Sequence, residues 1–270
     1  MDRKYSIGID FGTLSGRAVL VALDNGEEVA TAVYEYPHGV MDRELPGGES
    51  LHIDFALQHP RDYLEVLSHT VPEVLRLGGV KPSQIAGVGI DFTSTTLLPV
   101  YADGSPLCFD EKFKNRPHAY VKLWKHHAAQ RQADRINALA KERGEKWLDR
   151  YGGKISSEWL FPKILEILEE DEEIYNTAER IIEAADWITW VLTGKETRSS
   201  GAAGYKAMWS MKDGFPSRDF FKALDPRFGN VVGTKVPKEV LPLGSKAGEI
   251  SPDGARLTGL EVGTPVAVGN

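Results

Sequence analysis

The sequence predicts an α/β fold, a mixed sheet flanked by helices, and three observations carry that expectation. Short runs rich in Val, Ile, Tyr and Ala open the chain with glycine-containing turns between them; an amphipathic helical segment follows; further apolar runs then return. Residues 5–11, 17–23 and 28–36 read as three consecutive strands, with Asp24-Asn25-Gly26 as a tight reversal. Over 60–77, Leu64, Leu67, Val71, Val74 and Leu75 recur at helical spacing, and Pro72 inside that segment predicts a kink or a break. Residues 87–91 and 97–101 read as two more strands, the second closed by a turn at 102–104. A long helix is expected over 117–142, opened by Pro117 and carrying Val121, Trp124, Ala128, Ile136 and Leu139. Two further helices are expected over 158–170 and 179–192, the second ending at Gly194. The acidic run 169–173 between them reads as a solvated face, not as a cation site. The last residues form an apolar strand leading into Gly269-Asn270, a pattern that normally delivers the chain to a further element.

The totals narrow the function. At 270 residues the chain can be one large domain or two smaller ones, and 41% hydrophobic with 26% charged residues is ordinary for a folded protein. A formal charge of −7 and basic stretches as short as 112–116, interrupted by aromatic residues, disfavour nucleic acid as a partner. No run approaches the ~18 apolar residues of a membrane helix, and the N-terminus lacks the charged-then-apolar order of a secretory signal. The expectation is a soluble, cytoplasmic protein. Cys108 is the single cysteine, so no disulfide forms within the chain, and it reads as a buried small residue instead of a reactive thiol.

Four stretches carry candidate chemistry. Asp10-Phe11-Gly12-Thr13-Leu14-Ser15-Gly16-Arg17 lies between two strands. Gly12 can take backbone angles that turn amides inward, Thr13 and Ser15 add hydroxyls, and Asp10 can hold a magnesium ion through water, which together make a phosphate grip on a hairpin. Plain hairpin punctuation uses the same residues, and that reading stays open. No Gly-Lys-Ser/Thr follows, so this is not a Walker loop, and Gly-x-Gly-x-x-Gly is absent. An Asp-Phe-Gly triplet starting at residue 10 leaves no room for the upstream motifs of protein kinases.

Residues 89–96 place Asp91, Thr93, Ser94, Thr95 and Thr96 at a strand end, where open sheets present ligand groups. Thr95 and Thr96 can bond polyol hydroxyls or simply continue the strand. Trp124 offers an indole face for sugar C–H surfaces beside His126 and His127; on a helix these two histidines point ~100° apart and cannot share a metal. A small-residue loop at 199–204 precedes Lys206, which is either a sugar ligand or an ordinary solvated lysine. No Ser-His-Asp order, His-Glu-x-x-His or paired-cysteine spacing supports a hydrolase or a zinc enzyme.

Taken together, these stretches resemble the FGGY carbohydrate kinases over the whole chain. The residues that carry the resemblance are Gly8 to Arg17, Gly89 to Thr93, Val121 to His127, Tyr151 to Trp159, Gly204 to Trp209, and the closing stretch from Thr258 to Gly269. It implies an actin-like ATPase (ribonuclease H-like) domain, the N-terminal domain of a two-domain sugar kinase, over 1–270. It also implies ATP-dependent phosphorylation, with Mg2+, of the terminal hydroxyl of a ketopentose, L-ribulose first and other pentuloses next, as in L-arabinose catabolism. Asp10 would then serve the metal; Gly12, Thr13, Ser15 and Arg17 the phosphates; and Thr95, Thr96, Trp124 and Lys206 the sugar. Xylulokinases look like Trp-x-Asp-x-Arg where this chain has Trp124-Lys125-His126-His127-Ala128, and glycerol kinases carry Arg-Glu where it has Phe92-Thr93, so those substrates are disfavoured. The family's catalytic aspartate would follow Asn270, and the C-terminal nucleotide domain would be a missing partner, which predicts an inactive fragment. A homodimer stays open, as do a non-catalytic sugar-binding module and an actin-like or chaperone-type ATPase.

Overall fold

The computed structural model describes residues 3–270, and its sheet is mixed, as expected. Strands β1 (Tyr5–Phe11), β2 (Ser15–Ala22) and β3 (Glu28–Glu35) form an antiparallel meander. Strict alternation drives β1: Tyr5, Ile7, Ile9 and Phe11 are buried on one face, while Ser6, Gly8 and Asp10 lie half-buried on the other. After the two-residue β4 (Leu57–Gln58), helix α1 (Pro60–Gly78) crosses the meander. Gly16 is fixed by this crossing, because a Cβ there would sit 2.6 Å from both methyls of Val66.

Helix α1 continues through Pro72 as one helix, so of the expected kink or break the break does not occur. A proline costs about 3 kcal/mol in a helix interior. Tyr63, Val66, Leu67, Val71 and Val74 are all fully buried, and at about 1.5–3 kcal/mol per side chain their burial outweighs that cost.

Strand β5 (Ile85–Phe92) runs parallel to β1, and the chain then leaves this sheet. Strands β6 (Leu97–Val100), β7 (Val121–Lys122) and, later, β8 (Arg180–Glu183) join β4 in a second sheet of order β4-β7-β6-β8. Two expected helices are therefore corrected. Within 117–142 only α2 (Gln130–Arg143) is an α-helix, since Val121 and Lys122 pair with Leu57, Gln58 and Leu97 instead. Within 179–192 the first residues form β8 and only α5 (Ala184–Thr193) is helical, ending as expected at a left-handed Gly194 (φ 69°). The reason is a division of labour across the second sheet: Leu97 and Ile181 face one hydrophobic core, Leu98 and Ile182 the other. Strands buried on both faces lack alternation and read as helix.

Helices α3 (Leu160–Glu170) and α4 (Glu172–Thr177), with α2, build the second core, to which α7 (Arg218–Leu224) also belongs. Helix α6 (Ser200–Lys206) belongs to neither core, although Ala202 and Ala203 are buried. The acidic run 169–173 is not a free solvated face: Glu169 pairs with Arg131 (2.9 Å) and Arg135, Asp171 caps α4 and binds Arg116 (3.0 Å), and Glu173 binds Lys112 (2.6 Å). Lys112 and Arg116 of the basic stretch are thereby paired with the acidic run, while Lys114 pairs with Glu111 (2.6 Å). Cys108 is buried, and burial pushes its thiol well above the ordinary range.

The chain finishes in the first sheet with β9 (Lys246–Glu249) and β10 (Pro265–Ala267), giving the order β3-β2-β1-β5-β10-β9. Strand β10 lies parallel to β5, so β1, β5 and β10 all bring their C-terminal ends to one place. Among the described residues no helix is long and apolar enough to cross a membrane.

Candidate functional site

The ends of β1, β5 and β10 converge, the arrangement in which open α/β sheets hold ligands. Asp10 and Asp91 are in register on adjacent parallel strands, so their side chains share a face. Arg17, across the hairpin from Asp10, places Nε 3.2 Å from its carboxylate. Asn270 completes the edge: its main chain bonds to Ile90 and Phe92 on β5, and its side-chain amide donates to Asp91 at 3.3 Å. Two solvent-reachable carboxylates side by side offer the oxygen donors that a hard divalent cation takes, so the site fits magnesium at Asp10, with Asp91 as the second carboxylate.

The turn between β1 and β2 is held from behind by side chains. The Tyr36 hydroxyl donates to the Gly12 carbonyl (3.1 Å) and Gln58 Nε2 to the Thr13 carbonyl (2.8 Å), while the Tyr63 hydroxyl fixes Gln58 in turn (2.5 Å). Trp124 Nε1 donates to the Thr13 hydroxyl at 3.1 Å. Gly12 differs from expectation: it stays out of the left-handed region, and its amide is spent on the Ser15 carbonyl (2.9 Å). The turn therefore offers the hydroxyls of Thr13 and Ser15 and the guanidinium of Arg17, not the Gly12 amide.

A cavity of about 330 Å³ opens beside these strand ends, lined by Thr93, Thr96, Glu183, Tyr205 and Asn270 among others. The Thr93 and Thr96 hydroxyls lie 2.8 Å apart. Thr95 does not reach the cavity; it is buried, its hydroxyl donates to the Ser94 carbonyl (2.7 Å), and its φ of 54° puts a β-branched residue in the left-handed region.

Trp124, His126 and His127 lie in a turn after β7, not on a helix, so the ~100° argument does not apply to them. His126 is fully buried against Glu166 (3.0 Å) and Lys122 (3.3 Å), with Nδ1 accepting from the Ala56 amide. Burial, then the Lys122 ammonium, push its pKa down to about 3. Burial alone would raise the Glu166 carboxyl, but Lys122 and His126 outweigh it and hold it well below the usual carboxylate range. His126 is a structural histidine. His127 is half-exposed, 3.2 Å from the Ser157 hydroxyl.

Lys206 closes α6 as a half-buried residue paired with Glu158 at 2.8 Å, not as a free solvated lysine. Glu158 also faces His127 at 4.0 Å. Gln58 and Tyr36 escaped sequence reasoning, and Glu158 was seen only within a family-like stretch, because the groups they position, Thr13, Gly12 and Lys206, stand tens of residues away. His38, His59 and Asp62 also come together: His38 Nδ1 lies 2.6 Å from the Asp62 carboxylate, and His59 Nδ1 accepts from the Arg61 amide as the cap of α1.

A family model described as the FGGY family of carbohydrate kinases, N-terminal domain, matches residues 5–270. The chain is 53% identical to a ribulokinase from Anoxybacillus flavithermus, over 100% of this chain and 48% of that protein, and 51% identical to one from Mycolicibacterium smegmatis, over 99% and 48%. It thus spans about half the length of the curated relatives it matches. Among solved structures, a xylulose kinase from Rhodospirillum rubrum superposes with a TM-score of 0.76 at 20% identity, covering 99% of this chain and 49% of that one. Plasmodium falciparum glycerol kinase with ADP superposes at 0.70 and 14% identity, over 99% and 48%. These likenesses bear out the expected actin-like fold.

Proposed function

The chain belongs to the FGGY family of carbohydrate kinases, and we propose that it forms the sugar- and phosphate-binding domain of an enzyme that transfers the γ-phosphoryl group of ATP to the terminal hydroxyl of a ketopentose. L-Ribulose is the favoured acceptor, which would place the enzyme in L-arabinose catabolism; the support is identity above 50% to proteins named ribulokinase. A second domain, in the stretch of those relatives that this chain does not span, would carry the adenosine pocket and the base that takes the acceptor's proton.

The observation that carries the reading is the Trp124–Thr13 hydrogen bond, which joins a sugar-side aromatic residue to the phosphate-side turn. In-line phosphoryl transfer asks the protein chiefly to align donor and acceptor and to neutralise charge. Thr13 and Ser15 present hydroxyls to the phosphate oxygens, and Arg17 adds a positive charge beside them. Thr96, Trp124 and Lys206 face the acceptor, with Thr95 shaping the loop that carries Thr93 and Thr96. Asp10 and Asp91 would hold magnesium, which when bound would neutralise phosphate charge.

Thermal unfolding of this chain with L-ribulose, D-xylulose or glycerol tests the reading. Selective stabilisation by L-ribulose is expected, because a ligand that binds only the folded state raises its midpoint; no rise with any pentulose would overturn the assignment of a sugar site. Sugar-dependent ADP release is expected from a kinase containing both domains and not from these 270 residues alone.

A further inference from the structure

We propose that Lys163 is a positioning residue of the sugar site, whose buried amine holds the loop of Thr95 and the loop of Trp124 at one fixed separation. The proposal rests on the kinase reading above for what the two loops do, but not for how they are held.

Lys163 stands in the first turn of α3 and is 0% exposed. The balance of local terms disfavours a charged lysine there, the attraction of Glu166 and Glu158 notwithstanding. Burial penalises its charge, the N-terminal end of the helix is positive, and Lys122 and Lys206 add repulsion. An apolar side chain would fill the same space without these costs. The amine instead makes two hydrogen bonds of 2.8 Å, to the main-chain carbonyls of Thr95 and Leu123. Burial drives its pKa well below the ordinary range, and even the neutral amine keeps two N–H groups, one for each carbonyl.

The two carbonyls belong to different loops that leave the second sheet side by side, since Leu97 at the start of β6 pairs with Lys122 at the end of β7. On one loop, the left-handed φ of Thr95 is strained for a β-branched residue and persists only if its surroundings hold it. The Thr95 hydroxyl turns back on Ser94; the turn is held at its ends by Phe11, which accepts from the Thr93 amide (3.2 Å), and by Ala184, which donates to the Thr96 carbonyl (2.7 Å), and at Thr95 itself by the grip of Lys163 on the carbonyl. That turn sets the Thr93 and Thr96 hydroxyls in the cavity wall. On the other loop, Leu123 precedes Trp124, whose indole reaches Thr13. One amine thereby ties the cavity wall, the indole and the phosphate-side turn into a single rigid unit.

The test compares indole N–H exchange in the wild-type chain and in Lys163→Met by NMR. Trp124 is expected to exchange at least tenfold faster in the variant. Trp187, whose indole donates to the Gly104 carbonyl (2.8 Å) in the other core, is expected to keep its rate. Lys163→Gln retains two N–H donors on a shorter stem and should restore part of the protection. The L-ribulose dissociation constant, read from the Trp124 resonance, should rise at least fivefold in Lys163→Met. Unchanged Trp124 exchange overturns the positioning role, and so does equal acceleration at Trp124 and Trp187, which marks general loosening. If Lys163→Met does not fold, the same two resonances in Lys163→Gln decide. Failure of the wild-type chain to bind L-ribulose would overturn the kinase reading alone, because the exchange comparison needs no sugar.

Discussion

The indole nitrogen of Trp124 donates to the hydroxyl of Thr13 across 3.1 Å, bridging 111 residues of sequence. The first sheet supplies the hydroxyl and the second supplies the indole. Any shift between the two sheets at this point must stretch that bond.

Trp124→Phe removes the N–H and keeps most of the apolar surface. A neutral hydrogen bond is worth about 1 kcal/mol net, so L-ribulose affinity is expected to fall about fivefold while the unfolding midpoint barely moves. Calorimetric titration with the sugar, alongside a thermal scan, measures both. A large loss of stability with unchanged affinity would reassign Trp124 to packing.

Lys206→Ala, in a kinase carrying this domain, is expected to raise the apparent Michaelis constant for the pentulose much more than that for ATP. Glu158→Gln should do the same more weakly, because it frees the ammonium from its 2.8 Å partner instead of deleting it. Steady-state assays that vary each substrate in turn check the pair; equal effects on both substrates would remove Lys206 from the sugar site.

Gly16→Ala is expected to destabilise the fold by about 1–3 kcal/mol, the usual cost of overpacking. The added methyl meets Val66 at 2.6 Å, where α1 crosses the hairpin. Denaturant unfolding of the single variant and of Gly16→Ala/Val66→Ala tests the cause, since shortening Val66 should relieve part of the loss.

His126 predicts a pH dependence with a definite sign. Its folded pKa of about 3 lies below the unfolded value of about 6.5, so the unfolded chain binds the extra proton between these limits. Its contribution is complete above pH 6.5 and is lost as pH falls toward 3, roughly 1–2 kcal/mol by pH 5. Asp186 acts in the opposite sense, because burial raises its pKa to about 7. Comparing wild type with His126→Gln cancels that common term: the variant should lose less stability between pH 7.5 and pH 5.

How much of this was legible in the sequence depended on where the controlling contacts lie. Strands β1 to β3 were readable because Tyr5, Ile7, Ile9 and Phe11 alternate with polar or small neighbours, and α1 because its apolar face repeats. Strand β8 was not, since Ile181 and Ile182 are both buried, each in a different core. Strand β9, Lys-Ala-Gly-Glu at a sheet edge, has no apolar alternation to find. The proposed site followed the same rule. Residues within one turn, such as Asp10 and Thr13, were visible as a group, whereas Gln58, Glu158 and Lys163 gain their roles from partners brought near only by the fold.

The sealed thiol at Cys108 leaves the molecule a blank background for dye chemistry. Leu14, 62% exposed at the hairpin tip, can be replaced by cysteine and coupled to a maleimide fluorophore without competition from the native sulfur. A single reporter would then sit at the tip of the turn between β1 and β2, ready to show by emission alone whether a nucleotide comes to occupy it.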